Sequence, residues 1–274
     1  MKANNLSISV PYKGCDKNCA YCISKMTNHA KMSSINLMRR NYEKVKNLAK
    51  LSQVSSVSIT GKGEPTKSMT DIIELIHAFS EFPVELQTNG LYLLNNLMLV
   101  RDLYNVGLDV LAISLDEAGD FAKFEPLFRA ARITNLTVRV TYNITKLTLS
   151  TITIKDFITW CKKYGVEQFS IRQVVAPTNI METIQSKDAK KWIDKNVDPI
   201  HYERLLGEIC KLPNKKIIRT LPYGATLYDI EGISVTAFDY CIQDNHGEND
   251  IRSLIFQEDG HVYASWNSLA SRIL

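Results

Sequence analysis

The sequence predicts an α/β fold: a partial (β/α)6 TIM-like barrel over residues 1–177, followed by a carboxy-terminal α+β cap over residues 178–274. Three observations lead there. Short β-rich runs alternate with helical apolar periodicities at a spacing of roughly thirty residues, which implies a parallel sheet with right-handed crossovers. The run DVLAISLD (109–116) is almost continuously apolar, as expected for a strand buried on both faces. Past residue 177 the alternation gives way to helices and then to hairpin-like strands. Six βα units fit a partial barrel better than a closed eight-stranded one.

Taken in order, LSISVPY (6–12) alternates like a strand and runs into a cysteine loop at 13–25. RRNYEKVKNLAKL (39–51) has helical apolar spacing, and VSSVSIT (54–60) is a strand ended by Gly61 and Gly63. SMTDIIELIHAFSEF (68–82) is a helix with Ser68 or Thr70 at its N-cap. VELQT (84–88) is a strand stopped by Asn89-Gly90, and LLNNLMLVRDLYNVG (93–107) is a helix that Gly107 can cap. A helix near 119–132, the strand LTVRVTYNIT (136–145), the helix IKDFITWCKKYG (154–165) and the strand VEQFSIRQVVA (166–176) complete the barrel. In the cap, SKDAKKWIDKN and DPIHYERLLGEICKL read as helices. KKIIRTL, ATLYDIEGISVTAFDY and RSLIFQEDGHVYASW read as strands, with turns at Glu231-Gly232 and Asp259-Gly260.

The 45% apolar and 23% charged composition is that of an ordinary soluble globular protein. No apolar run is long enough to span a membrane, and no apolar signal core precedes the cysteines. A cytoplasmic location follows, where thiols stay reduced and crowded cysteines point to metal or redox chemistry. The net charge of +4 is too small to argue for nucleic acid. Yet residues 1–50 hold ten Lys/Arg against two Asp/Glu. The basic surface around Lys13, Lys17 and Lys25 is either a solvated face or a dock for something acidic.

Cys15, Cys19 and Cys22 form C-x3-C-x2-C. Three soft thiolates on one loop suit zinc, with His29 as the nearest fourth ligand, or an iron–sulfur cluster. Four irons held by three protein ligands would leave one iron open. Spacing alone leaves both readings standing. Cys161 and Cys210 fall on apolar helix faces and read as core. Cys241, in the polar stretch FDYCIQDNHGEND, reads as buried, as exposed, or as a thiol at the barrel mouth.

With these cysteines after the first strand, Tyr21 in CAYC, TGKGEPT (60–66), LQTNG (86–90) and AISLD (112–116) stand at successive strand ends. In that order they resemble the radical S-adenosylmethionine (radical SAM) family, over roughly residues 6–176. The resemblance implies one 4Fe–4S cluster on the three cysteines, with S-adenosylmethionine (SAM) chelating the open iron. It also implies an enzyme that cleaves SAM reductively to methionine and a 5′-deoxyadenosyl radical, which abstracts hydrogen from a substrate.

Cofactor-binding positions follow residue by residue. Gly61 and Gly63 let the backbone approach a ligand closely, and Glu64, or the backbone around it beside Pro65, accepts from the SAM ammonium. Lys62 departs from the commoner Gly-Gly-Glu form. Ser114 and Asp116 share a strand face and reach ribose or carboxylate, unless Asp116 caps the next helix. Thr88 and Asn89 line the same mouth or form a plain turn. Asn143 matches a polar contact on the fifth strand, and Val174-Val175 an apolar contact to adenine. Arg172 either closes a salt bridge within the barrel or meets a charge on the substrate. Cys241 is the candidate catalytic hydrogen donor. Ser265 and Trp266 stand where a second cluster would need cysteine, so one cluster is expected.

The substrate expected is a peptide or small metabolite. An RNA or nucleotide is the rival, since the G-x-G-E-P form resembles the RNA-methylating branch of the family. A zinc-binding adaptor without catalysis is the reading from another class. The expected electron donor is acidic, of the flavodoxin or ferredoxin type.

Overall fold

Six βα units follow one another as the periodicities require. The computed structural model describes residues 2–27, 32–146, 152–177, 180–221, 225–238, 250–266 and 268–274. Strand β1 (Lys2–Val10) is followed by α1 (Ile35–Arg39) and α2 (Tyr42–Leu51). Then come β2 (Val57–Gly61), α3 (Met69–Ala78), β3 (Val84–Thr88), α4 (Leu91–Leu94), α5 (Met98–Asn105) and β4 (Val110–Leu115). After these lie α6 (Asp120–Lys123), α7 (Glu125–Ile133), β5 (Thr137–Ile144), α8 (Ile154–Tyr164) and β6 (Gln168–Gln173). The carboxy-terminal part adds α9 (Ile184–Asn196), α10 (Pro199–Lys211), β7 (Lys215–Thr220), β8 (Thr226–Ile230), β9 (Ile233–Phe238), β10 (Asp250–Phe256) and β11 (Val262–Tyr263).

Local chemistry sets several boundaries. A Thr153 capping box with Asp156 starts α8, and Gly165 at φ +73° ends it. The expected helix over 93–107 is instead two, α4 and α5. Gly90, not a Ser or Thr, precedes α4, and Asn96 donates to the Tyr92 carbonyl at 2.8 Å at the break between them. Ser68 does stand at the N-cap of α3, although its side chain makes no capping hydrogen bond.

Among the described residues the strands form one sheet in the order β11-β10-β1-β2-β3-β4-β5-β6-β9-β8-β7. β1 to β6 pair in parallel, each with the next. The carboxy-terminal strands continue this sheet at both edges: β10 lies parallel to β1, and β9 parallel to β6. Antiparallel β11 and β8-β7 then end the two sides. The turns at Glu231-Gly232 and Asp259-Gly260 fall where expected, with positive φ at Glu231, Gly232 and Gly260.

The main core lies between the outer face of the sheet and the helices. Leu6, Ile8, Val57, Ile59, Leu86, Ile113, Val140, Phe169 and Ile171 are buried there against α3, α7 and α8. A smaller cluster joins Met26, Val174, Ala189 and Ile193, with Tyr21 and Trp192 packed on it. Cys161 belongs to the main core, where burial pushes its thiol up to about 12. Cys210 does not: it is exposed, because the buried stripe of α10 is Tyr202, Leu205 and Ile209, and Cys210 lies one residue past it. His29 and Cys241 lie outside the described residues.

Candidate active site

Every cofactor-binding and metal position expected from the sequence lines a single cavity of about 230 Å³ at the carboxyl ends of β2 to β6. Cys15, Cys19 and Cys22 form one wall, Glu64 and Pro65 with Thr88 and Asn89 a second, and Ser114, Asp116, Asn143 and Val174 a third. Lys17, Gln87, Arg172 and Gln173 also reach it, so Lys17, expected on a basic outer surface, lines the cavity instead.

The loop carrying the cysteines is tied at both ends. On its first limb, Tyr12 N–H donates to Glu258 Oε2 at 2.9 Å, and Glu64 N–H donates to the Gly14 carbonyl at 2.9 Å. Glu258, in the β10–β11 turn, also accepts from Ser33 Oγ at 2.9 Å. A Cβ on Gly63 would come within 2.2 Å of the Gly14 carbonyl oxygen. Gly63 is therefore needed for packing of the cysteine loop itself, besides any close approach to a ligand. On the last limb, Cys22 opens a 3-10 turn over Ile23–Lys25. Helix α9 holds that turn: Ser186 Oγ donates to the Lys25 carbonyl at 2.7 Å, and Tyr21 packs on Trp192 with ring centroids 5.5 Å apart.

Glu64 is buried, with three donors on its Oε1 and one on its Oε2. It accepts from Thr66 N at 3.0 Å, Thr66 Oγ1 at 2.6 Å, Thr88 Oγ1 at 2.5 Å and Asn89 N at 2.8 Å. A carboxylate offers about four acceptor sites, so this side chain bolts the β2 loop to the β3 loop. Pro65 stands at the first position of the turn that Glu64 caps, where its missing N–H is not needed. Asn89 Oδ1 accepts from Leu91 N at 2.9 Å, and its Nδ2 lies 3.9 Å from Cys15 Sγ.

Asp116 is not the cap of the following helix, whose N-cap is Gly119; its own N–H and that of Glu117 donate to Asp120 Oδ2, each at 3.1 Å. Instead, Asp116 receives the Tyr21 hydroxyl, Asn143 Nδ2 at 2.9 Å and Lys17 Nζ at 3.0 Å. Burial, and then the Asp116 charge, push the Tyr21 phenol well above its ordinary range, which keeps it a donor. Lys17 is thus turned into the cavity. Lys13 pairs with Asp71 at 3.2 Å, and Lys25 donates to Asn18 Oδ1 and the Cys19 carbonyl. All three lysines expected on the basic surface are engaged within the fold.

Burial also holds the Cys15 and Cys19 thiols above their usual range. A bound metal overcomes such a shift, since a coordinating thiol is deprotonated outright. Among the described residues, no three His, Cys, Asp or Glu gather around a point that one metal ion could fill, these cysteines included. A cluster takes one thiolate per iron, so its ligands need not converge. Three soft thiolates on one loop fit a cluster that keeps one iron open.

A second cavity of about 560 Å³ fills the barrel lumen below. Ile23, Thr60, Gly61, Gln87 and Arg172 line both cavities, which therefore adjoin. Among the described residues Arg172 closes no salt bridge.

A 29% identical stretch of 100 residues matches 7-carboxy-7-deazaguanine synthase of Clostridium acetobutylicum, covering 36% of this chain and 43% of that one. The structure of Streptococcus suis SuiB bound to its precursor peptide SuiA is 16% identical, with a TM-score of 0.56, over 96% of this chain and 60% of SuiB. That of anSMEcpe with bound AdoMet is 14% identical, with a TM-score of 0.52, over 98% of this chain and 76% of the other. The chain thus spans less than two thirds of the synthase and of SuiB, and the two structures share its fold. The family model of the radical SAM superfamily matches residues 9–186, most of the chain, and the protein belongs to that superfamily.

Proposed function

We propose that this chain cleaves SAM reductively at a single 4Fe–4S cluster and directs the resulting radical at a peptide or small-metabolite substrate. The observation that carries this reading is the one cavity shared by the three cysteines and the polar strand ends. Bound together, cluster and SAM supply a 5′-deoxyadenosyl radical able to abstract hydrogen.

The chain's own residues would do the rest. Cys15, Cys19 and Cys22 hold three irons, and Asn89 Nδ2 sits beside the Cys15 sulfur. Glu64 Oε2, which accepts only from Asn89 N, or the backbone around Gly61 and Gly63 would accept from the SAM ammonium. Ser114, Asp116 and Asn143 lie where ribose hydroxyls would meet them, and buried Val174 offers adenine an apolar wall. Cys241 stays the candidate hydrogen donor on sequence grounds, and a Cys241→Ala protein that gives normal product would remove it. No described helix is long and apolar enough to cross a membrane. A flavodoxin or ferredoxin would supply the electron.

Anaerobic reconstitution tests the reading. The expected result is a brown protein with about four irons per chain that yields 5′-deoxyadenosine under reduction. Cys19→Ala should lose the intact cluster. Stoichiometric zinc without iron would favour the adaptor, and full iron content in Cys19→Ala would sink the cluster assignment.

A further inference from the structure

We propose that Arg172, lining the barrel lumen, anchors there an anionic oxygen group, carboxylate or phosphate, of a small substrate. The inference rests on reading the adjoining cavity as the SAM site.

At about 560 Å³ the lumen lies within the range of small-molecule sites. Its described lining carries Lys62, Arg139, Arg172 and Arg252 against the carboxylate of Glu85 alone. Three of these cations have company. Arg139 pairs with Glu85 and donates to Gln168 Oε1 at 2.8 Å. Burial pushes the Lys62 ammonium down, against the opposing charges of Glu258 and Asp259. Arg252 has a contact within the fold.

Arg172 is different. Its Nε is shielded from solvent, and among the described residues it has no hydrogen-bond partner and no carboxylate in salt-bridge range. Ser58 Oγ, on β2 in the lining of the same cavity, is likewise buried without a partner among the described residues. Buried polar atoms are nearly always satisfied. Both observations make sense if the partner arrives with the ligand.

Placement adds direction. Arg172 pairs in register with Asn143, which donates to Asp116 at 2.9 Å, and it lines both cavities. An anion held there stands at the border of the two, with the rest of the molecule in the lumen beside SAM. A guanidinium fork matches a carboxylate or phosphate through two parallel hydrogen bonds. A neutral or cationic substrate would leave it unpaired.

The test uses the anaerobically reconstituted holoenzyme, titrated calorimetrically with glutarate and with inorganic phosphate. Glutaramide is the uncharged control, and each titration is run with and without saturating SAM. At least one anion should bind with SAM in place while glutaramide does not, and the preferred anion tells carboxylate from phosphate. Arg172→Gln should weaken that binding about tenfold or more. Arg172→Lys, which keeps the charge but not the fork, should retain part of it and guards against a folding defect in the first variant. Unchanged affinity in Arg172→Gln would overturn the proposal. So would competition with SAM, which would place the anion in the cofactor cavity, or failure of both anions to bind the wild type. If instead SAM fails to bind, the cofactor reading falls, while the titrations without SAM still report on Arg172.

Discussion

Strand β6 presents two unlike faces. Phe169 and Ile171 point outward and are fully buried among the helices, whereas Ser170 and Arg172 point into the lumen. The same alternation runs through β1, β2 and β5, with Leu6, Ile59 and Val140 outside and Ser7, Ser58 and Thr141 inside. A closed eight-stranded barrel fills its interior with layers of Val, Ile and Leu. This one keeps its apolar core outside the sheet and makes its interior a container. Residues adjacent in sequence therefore belong to different tasks, cohesion on one face and recognition on the other, and should respond differently to substitution.

The largest effect is expected on the outer face. Phe157 of α8 is fully buried, with the rings of Tyr142 and Phe169 each 4.7 Å away, centroid to centroid. Phe157→Ala removes that contact and leaves a cavity, at a cost of about 3–5 kcal/mol. Urea denaturation monitored by circular dichroism measures it. A loss below about 1 kcal/mol would mean that the outer layer is not the core, and the contrast would fail.

An intermediate effect is expected at the rim, where inner-face groups are held by the protein itself. Asp116→Asn keeps an acceptor for Tyr21 and Asn143 but loses the charge that holds Lys17. Stability should fall by about 1.5 kcal/mol, the lower end for a hydrogen bond to a charged group. Because Lys17 lies between two of the cysteines, reconstituted protein should also release iron to a chelator faster. Iron release at the wild-type rate would show that the cysteine loop does not depend on this anchor.

How much of this was legible in the sequence follows the same division. The barrel units and the motif residues could be read, because strand ends, Gly-rich turns and cysteine spacing are local signals. Continuity of the sheet past residue 177 could not: β10 joins β1 across more than the whole barrel in sequence, and nothing local encodes that pairing. Hydropathy did not separate the two faces of β4, since Val110 and Ala112 make its inner side look as apolar as its outer one. The engagement of Glu64 with four donors, and of Asp116 with the cysteine loop, depends on loops meeting in space. Cys210 was misplaced because the apolar stripe of α10 is narrower than its sequence spacing suggests.

The smallest effects separate two serines of the inner wall. Ser170 Oγ and Thr236 Oγ1 form a hydrogen bond of 2.8 Å, both buried. Ser170→Ala strands the threonine hydroxyl and should lower stability by about 1 kcal/mol, the net worth of an ordinary hydrogen bond. Ser58 Oγ has no such partner among the described residues. Ser58→Ala removes no protein hydrogen bond and so should leave stability within about 0.5 kcal/mol of the wild type. The two substitutions delete the same atom from the lumen lining, on β2 and on β6, so side-chain entropy and volume nearly cancel in the comparison. What remains is whether the hydroxyl is satisfied by the fold or reserved for something else. Paired urea titrations of the two variants decide it. Equal losses at both positions would mean that Ser58 has a protein partner after all, and the inner wall would then be structural at that level, not a surface kept for a ligand.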